Sequence, residues 1–290
     1  VSVISSLQVG VLDPQGPVAA AERTILLNAT VIMLAVIIPV ILLTLAFAWW
    51  FRAGNAKAKR SPDFAYSGPV EVVVWAIPML IVLFLGGIAW IGSHDLDPPK
   101  RILAKHSPID VQVVSLDWKW LFIYPALGVA SVNKLVVPAG APLRLQLTSA
   151  TVMNSFFVPQ LGSQIYTMAG MSTRLNLLAD KPGVYPGLSA QFSGQGFSDM
   201  RFNVQALPEG QFNQWVATAK RNPAQLTAAT YAQLAKPGLQ ATPLEFGAIG
   251  QGVFDAIVDA RPLPVSASAT ESAASPADDA STSDHSAMAM

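Results

Sequence analysis

Hydrophobic and polar positions divide this chain into three textures. From Thr24 to Phe51 the run TILLNATVIMLAVIIPVILLTLAFAWWF contains no charged residue, and it exceeds the roughly 20 residues that cross about 30 Å of hydrocarbon. A second uncharged run extends from Val72 to Ser93. Together they predict two spanning helices, 24–51 and 71–93, since charge-free runs of this length are uncommon in soluble domains. Each run holds one proline, Pro39 and Pro78. In lipid such a kink is tolerated where neighbouring groups satisfy the freed carbonyl. Trp49, Trp50, Trp75 and Trp90 fall near the run ends, where amphipathic rings favour the headgroup layer.

Past Pro98 and Pro99 a linker, 94–107, gives way to short β-type runs separated by turn residues. These are IDVQVVSLDWKWLFIY, KLVVP, PLRLQLTSA, SFFVPQ, TRLNLLA, GLSAQFS and MRFNVQAL. They predict an all-β domain over 108–207, an antiparallel sandwich or small barrel. Over 208–262, Phe212, Trp215, Val216 and Ala219 recur at helical spacing and Pro223 and Pro237 interrupt. Short helices are expected there, packed on the sandwich or on a partner. From 263 to 290 Ser, Ala and Asp dominate, too little apolar surface to fold, so a disordered tail is expected.

Charge adds an orientation to this plan. The 52–70 loop carries Arg52, Lys57, Lys59 and Arg60 against Asp63, whereas the opposite flanks mix signs through Asp13, Glu22, Arg23, Asp95, Asp97, Lys100 and Arg101. By the positive-inside rule the loop is cytoplasmic, and both termini, the 1–23 segment and the β domain lie outside.

Composition removes several chemistries. Hydrophobic residues make up 52% and charged ones 12%, against roughly 25% charged in an average soluble protein. Part of the apolar excess must face lipid or a partner. Lys plus Arg and Asp plus Glu are both 18, which leaves no basic footprint for nucleic acid. Cysteine is absent, so disulfides, thiolate metal sites and thiol nucleophiles are excluded. The sequence opens on Val1 rather than Met, as a processed or truncated chain would.

Several stretches carry a specific resemblance: VLDPQG, FAWWFRAGN, VEVVVWAIPML, VVSLDWKWLFIYP, VMNSFFVPQLGSQIYTMAGM and SAQFSGQGFSDMRF. In order and spacing, from about Leu12 to Leu207, they resemble subunit II of the haem-copper oxidases. The resemblance implies a helical hairpin leading into a cupredoxin-like periplasmic domain, in a bacterial inner membrane. Cytochrome c oxidases of this family hold a dinuclear copper centre on His, Cys-x-Glu-x-Cys-x-x-x-His and Met. Here the matching positions read Asn154, Ser189, Gln191, Ser193 and Phe197, and only Met200 is kept. Hydroxyls, an amide and a phenyl ring do not replace bridging thiolates and imidazoles. No such centre is expected.

That loss, with the matching strings, is similar to the bo-type ubiquinol oxidase branch, whose lipid-soluble donor reduces subunit I directly. The resemblance therefore implies no cofactor in this chain, haems and copper in a partner subunit I, ubiquinol as the complex's substrate, and smaller membrane subunits besides. One departure is that a lipidated Cys often precedes the LDP segment in that branch, and this chain has none. The resemblance also implies a role for Glu71, at the cytoplasmic mouth of the second helix, as the entrance of a proton pathway into subunit I. Its plainer role is a helix-start carboxylate favoured by the macrodipole. Trp118, Trp120 and Phe122 alternate along an expected strand. In cytochrome c oxidases the matching tract lies on the electron's route to copper; without copper, packing against subunit I is expected. His94 and His106 read as exposed, and His285, Met288 and Met290 as tail residues able to bind a soft metal only weakly. A membrane-tethered binding or scaffold module with no oxidase partner is the competing class.

Overall fold

The computed structural model describes residues 10–59, 61–239, 242–261 and 263. Helix α1 spans Pro17–Trp50 and α2 spans Gly68–Asp95. Both start on a proline near the first helical position, where the missing N–H costs nothing and φ is already helical. The first helix therefore begins earlier than its uncharged run, taking in PVAAAER. At about 1.5 Å per residue it is roughly 51 Å long, more than the hydrocarbon needs. The two helices lie side by side, and Gly92 admits the Ile25 side chain: a Cβ there would come within 2.7 Å of Ile25 Cδ1. Away from this seam their apolar side chains are exposed.

The domain is a two-sheet sandwich built from β1 (Ile109–Leu116), β2 (Lys119–Tyr124), β3 (Val129–Val132), β4 (Lys134–Pro138), β5 (Pro142–Ser149), β6 (Asn154–Phe157), β7 (Ile165–Thr167), β8 (Thr173–Leu178), β9 (Gly183–Ser189) and β10 (Arg201–Leu207). A C-terminal segment adds α3 (Glu209–Lys220), β11 (Gln225–Leu226), α4 (Ala228–Leu234), β12 (Leu244–Phe246), β13 (Ala248–Ile249) and α5 (Val253–Val258). One sheet runs β12-β3-β2-β1-β5-β8, the other β4-β10-β9-β6-β7. The sheets are mixed rather than purely antiparallel, because β1 pairs β5 and β10 pairs β4 in parallel.

Strand β2 explains the unbroken apolar run of its sequence. Trp120, Phe122 and Tyr124 point into the core between the sheets, with Phe156, Phe202 and Leu145. Leu121 and Ile123 point the other way, into a second core closed by Leu226, Leu234, Phe246, Val253 and Phe254 of the C-terminal segment. A strand buried on both faces has no polar side to alternate with. The short helices thus pack on the sandwich, and β12 extends its sheet, which helical spacing did not anticipate.

Polar anchors hold that segment in place. Lys119 Nζ donates to the carbonyls of Leu234 and Lys236, both at 2.8 Å, closing the C-terminal end of α4. Burial pushes this lysine's pKa down, and the Asp117 charge offsets part of the shift. Glu245 on β12 accepts from Trp215 Nε1 and Lys134 Nζ, each at 3.0 Å. Burial alone would raise its carboxyl; the two hydrogen bonds and the Lys134 charge outweigh it and hold the group below the ordinary glutamate range.

A collar joins hairpin to domain. Gln15 N donates to Gln160 O at 2.8 Å, and Asp180 N donates to Gln15 O at 2.9 Å. On the other side Asn176 N donates to Pro98 O at 2.9 Å, while Asn176 Nδ2 donates to Pro99 O and Lys100 O. The domain therefore sits at the end of the hairpin where α1 starts and α2 stops. The tail expected beyond 263, with His285, Met288 and Met290, lies outside the described residues.

Candidate functional sites: a closed polar pocket and a helix mouth

Strand pairing brings together three of the six positions that the resemblance matches to copper ligands. Ser189 ends β9 opposite Phe156 on β6, its N–H donates to Met200 O at 3.1 Å, and Asn154 opens β6. Ser189 Oγ donates to Asn154 Oδ1 at 3.3 Å. Asn154 Nδ2 in turn donates to Val152 O at 3.1 Å and to Ser115 Oγ at 3.4 Å, and Ser115 Oγ lies 2.9 Å from Thr167 Oγ1. Ser115, Asn154, Thr167 and Ser189 are all at most 3% exposed. The pocket is a closed network of neutral hydroxyls and an amide whose donors and acceptors satisfy one another.

The remaining positions do not converge on that network through their side chains. Gln191 contributes only its carbonyl, 3.4 Å from Ser189 Oγ. Ser193 Oγ is buried with no hydrogen-bond partner. Phe197 opens a short turn and meets the exposed Phe192 edge-on at 5.7 Å. No anionic sulfur or imidazole is present to balance copper charge, so these residues do not fit a dinuclear centre. Among the described residues there is also no group of three or more His, Cys, Asp or Glu able to hold a metal ion. Sequence reasoning missed Ser115 and Thr167. Small hydroxyls inside β-branched runs give no signal until the strands are paired.

The aromatic tract does not lie on one strand. Trp118 does not continue a strand: it takes the second place of the two-residue turn between β1 and β2, with φ of 65°. Half-buried, it lies against Gly194 and Gly196, and a Cβ on Gly196 would collide with the indole. Trp120 and Phe122 are both 0% exposed. They pack against Phe156 and Phe202, with Trp120 edge-on to Phe156 at 5.3 Å and Phe156 stacked on Phe202 at 4.9 Å. Both side chains are enclosed by their own domain. Their neighbours are filled by this chain.

The His94 ring lies tilted against Trp90, centroids 4.4 Å apart, and His106 is exposed on the linker; neither has a carboxylate partner among the described residues. Glu71 sits in the first turn of α2, its backbone N–H donating to Ser67 O at 3.0 Å. Its side chain is exposed and meets no cation among the described residues. The loop before it is open and basic, and the Arg52 guanidinium lies 5.0 Å from the Trp49 ring. A water-accessible carboxylate at the mouth of an apolar helix can bind and release protons.

Comparison with known proteins places these features. Residues 124–207 match the family described as cytochrome C oxidase subunit II, periplasmic domain. The chain is 48% identical over 246 residues to the cytochrome bo(3) ubiquinol oxidase subunit 2 of Pseudomonas aeruginosa, covering 85% of this chain and 74% of that one. It is 47% identical over 259 residues to the ubiquinol oxidase subunit 2 of Acetobacter aceti, covering 88% and 84%. The solved periplasmic domain of subunit II of cytochrome oxidase (CoxB) from Bradyrhizobium japonicum is 25% identical, with a TM-score of 0.38, and covers 41% of this chain and 96% of its own.

Proposed function

The chain belongs to the ubiquinol oxidase subunit 2 family, and on that premise we propose that it serves a respiratory terminal oxidase as its assembly and proton-entrance subunit. It is a membrane subunit of an oxidoreductase complex, with two helices long and apolar enough to span and a cupredoxin-like domain beyond them. Membership in that family sets aside a free-standing scaffold. The complex has other subunits.

In the proposed arrangement subunit I carries the haems and a copper ion, oxidises ubiquinol and reduces oxygen, and this chain binds no cofactor. The closed pocket supports the first half: electrons have no metal to pass through in this domain, so a donor that delivers them to the partner within the membrane fits. The basic 52–70 loop supports a cytoplasmic loop with both termini periplasmic. The observation that carries the proton role is Glu71, an exposed carboxylate without a partner among the described residues, at the first turn of a membrane helix. It collects protons from the cytoplasmic water layer and hands them to an acceptor in the partner. An amide of the same shape does not titrate in this range.

Glu71→Gln slows quinol oxidase turnover per haem while assembly and haem content stay near normal, since losing a favourable helix-start charge costs at most about 1 kcal/mol. Glu71→Asp retains more activity than Glu71→Gln. Oxygen uptake per haem in the purified complexes checks both, and full turnover in Glu71→Gln would reduce the residue to a helix-start carboxylate.

A further inference from the structure

A cationic cleft lies where the linker leaves the second membrane helix. Asp110, Arg144 and Asn176 form one row across β1, β5 and β8, and Gln146 and Arg174 form part of the next. Asn176 ties the linker to this sheet edge through Pro98, Pro99 and Lys100, which sets Arg101 beside the row. Two adjoining clefts of about 220 and 280 Å³ share Arg101, Arg144 and Asn176 as lining, and the second adds Arg174 and Asp110. Three guanidiniums therefore meet one carboxylate. Asp110 is taken by Arg144, at 2.7 Å from Nε, and Arg101 and Arg174 have no ion-pair partner among the described residues.

The height of the cleft is fixed by its neighbours. A third cavity, about 160 Å³, is lined by Lys100, Arg101 and Asn176 together with Val18 and Glu22 of α1, Asp95 at the end of α2 and Asp97 just past it, so the carboxylates gather on the helix side of Arg101 and the guanidiniums on the sheet side. Arg101 thus stands at the outer ends of both spanning helices, the level of lipid headgroups. Beside it Leu103 is 95% exposed, on a segment tied to the domain by its neighbours. A bare leucine flanked by Arg101 and Lys105 is unfavourable in water and favourable at a membrane surface, where the apolar side chain enters the acyl boundary and the cations stay with the phosphates.

We propose that this cleft binds the phosphodiester headgroup of an anionic phospholipid of the outer leaflet, held by Arg101 and Arg174 while Leu103 enters the acyl boundary beside it. Guanidinium forks match phosphate oxygens in pairs, and Arg144 is already paired with Asp110, which leaves Arg101 and Arg174 for the headgroup. The inference rests on the membrane-spanning reading of the hairpin and is independent of Glu71.

The test uses the intact oxidase complex purified through this chain and equilibrated in vesicles of equal parts phosphatidylethanolamine and phosphatidylglycerol. Phosphatidylglycerol retained per haem is then measured by mass spectrometry. Arg101→Gln with Arg174→Gln lowers that retention roughly tenfold or more, the effect of two basic groups at an anionic leaflet, with phosphatidylethanolamine and haem content unchanged. Leu103→Ser lowers it several-fold without altering charge. Equal retention in the double variant overturns the proposal. Displacement of the lipid by millimolar inorganic phosphate with no effect of Leu103→Ser overturns it in favour of a free-anion site. Loss of haem from the double variant, with lipid per remaining complex unchanged, overturns it in favour of an acidic protein partner on this face.

Discussion

Two tryptophans in one chain show how differently its two apolar regions are held. Trp120, in the sandwich, is 0% exposed and enclosed by Phe156 and Phe202; Trp75, on the second membrane helix, is 75% exposed. In the sandwich every large apolar side chain of β2 meets another from the same chain. In the hairpin one seam, Ile25 against Gly92, is internal, and the remaining surface is left to lipid or to other subunits. The domain carries its own solvent-excluding partner, while the hairpin borrows one. The candidate sites follow the same division: the domain's polar pocket is closed by neutral hydrogen bonds, and the exposed groups, Glu71 and the cationic cleft, lie at the two ends of the membrane hairpin.

The strongest way to break this comparison is to reopen the pocket. Asn154→His, Ser189→Cys, Gln191→Glu, Ser193→Cys and Phe197→His in the full chain supply the five missing ligands beside Met200. Strand pairing already sets Asn154, Ser189 and Met200 side by side, so the combined variant binds two coppers with the absorption of a mixed-valence pair, and the unmodified chain binds none tightly. Stoichiometric copper in the unmodified chain would mean the pocket is not closed. Next in size is Trp120→Ala. Removing a fully enclosed indole costs about 3–5 kcal/mol, read as a large fall in the domain's unfolding midpoint by near-ultraviolet circular dichroism. A small change there would mean that Trp120 is held by a partner after all.

How much of this was legible depended on where each pattern gets its meaning. The hairpin could be read from sequence because its solvent is uniform: length and absence of charge suffice for two apolar helices, which here start earlier than the uncharged runs. The strand runs could also be read, since apolar runs bounded by Gly and Pro have few other solutions. What failed were features set by pairing between distant segments. IDVQVVSLDWKWLFIY looks continuous, but the chain turns at Asp117 and Trp118, and only the antiparallel register of Leu116 with Lys119 reveals it. That Phe156 and Phe202 cover Trp120 and Phe122 is likewise set by contacts between distant segments. Ser115 and Thr167 were invisible for the same reason. At the candidate site, residue types at 154, 189, 191, 193 and 197 could be read from sequence; the network replacing the ligands could not.

The collar between the regions supplies an intermediate test. Gly16 precedes α1 in an extended conformation open to any residue, so backbone freedom does not explain it. Space does: a Cβ there would press into the carbonyl oxygen of Leu178 on β8. Backbone cannot step aside as a side-chain tip can. Gly16→Ala should cost about 1–3 kcal/mol, as overpacking does, and loosen the seat of α1 on the domain. Faster proteolysis of the 10–17 segment in the assembled complex, with haem content kept, is the expected readout.

The smallest expected effect is the most direct on the comparison itself. Trp75→Ala removes as many atoms as Trp120→Ala, from a helix position that touches nothing in the domain. If the hairpin takes its partners from outside the chain, the domain's unfolding midpoint should not move beyond the roughly 0.5 kcal/mol typical of surface substitutions. Any cost of losing the indole must then appear elsewhere, as a lower yield of assembled complex or weaker retention in the bilayer, because an amphipathic ring near a helix end anchors at the headgroup layer or against a neighbouring subunit. The pair of variants therefore separates two quantities that one unfolding curve would merge: stability the chain makes for itself and stability lent by its surroundings. A fall in the domain midpoint for Trp75→Ala comparable to that for Trp120→Ala would mean that hairpin and sandwich unfold as one unit through the collar, and the division between a self-sufficient domain and a borrowed membrane surface would be wrong.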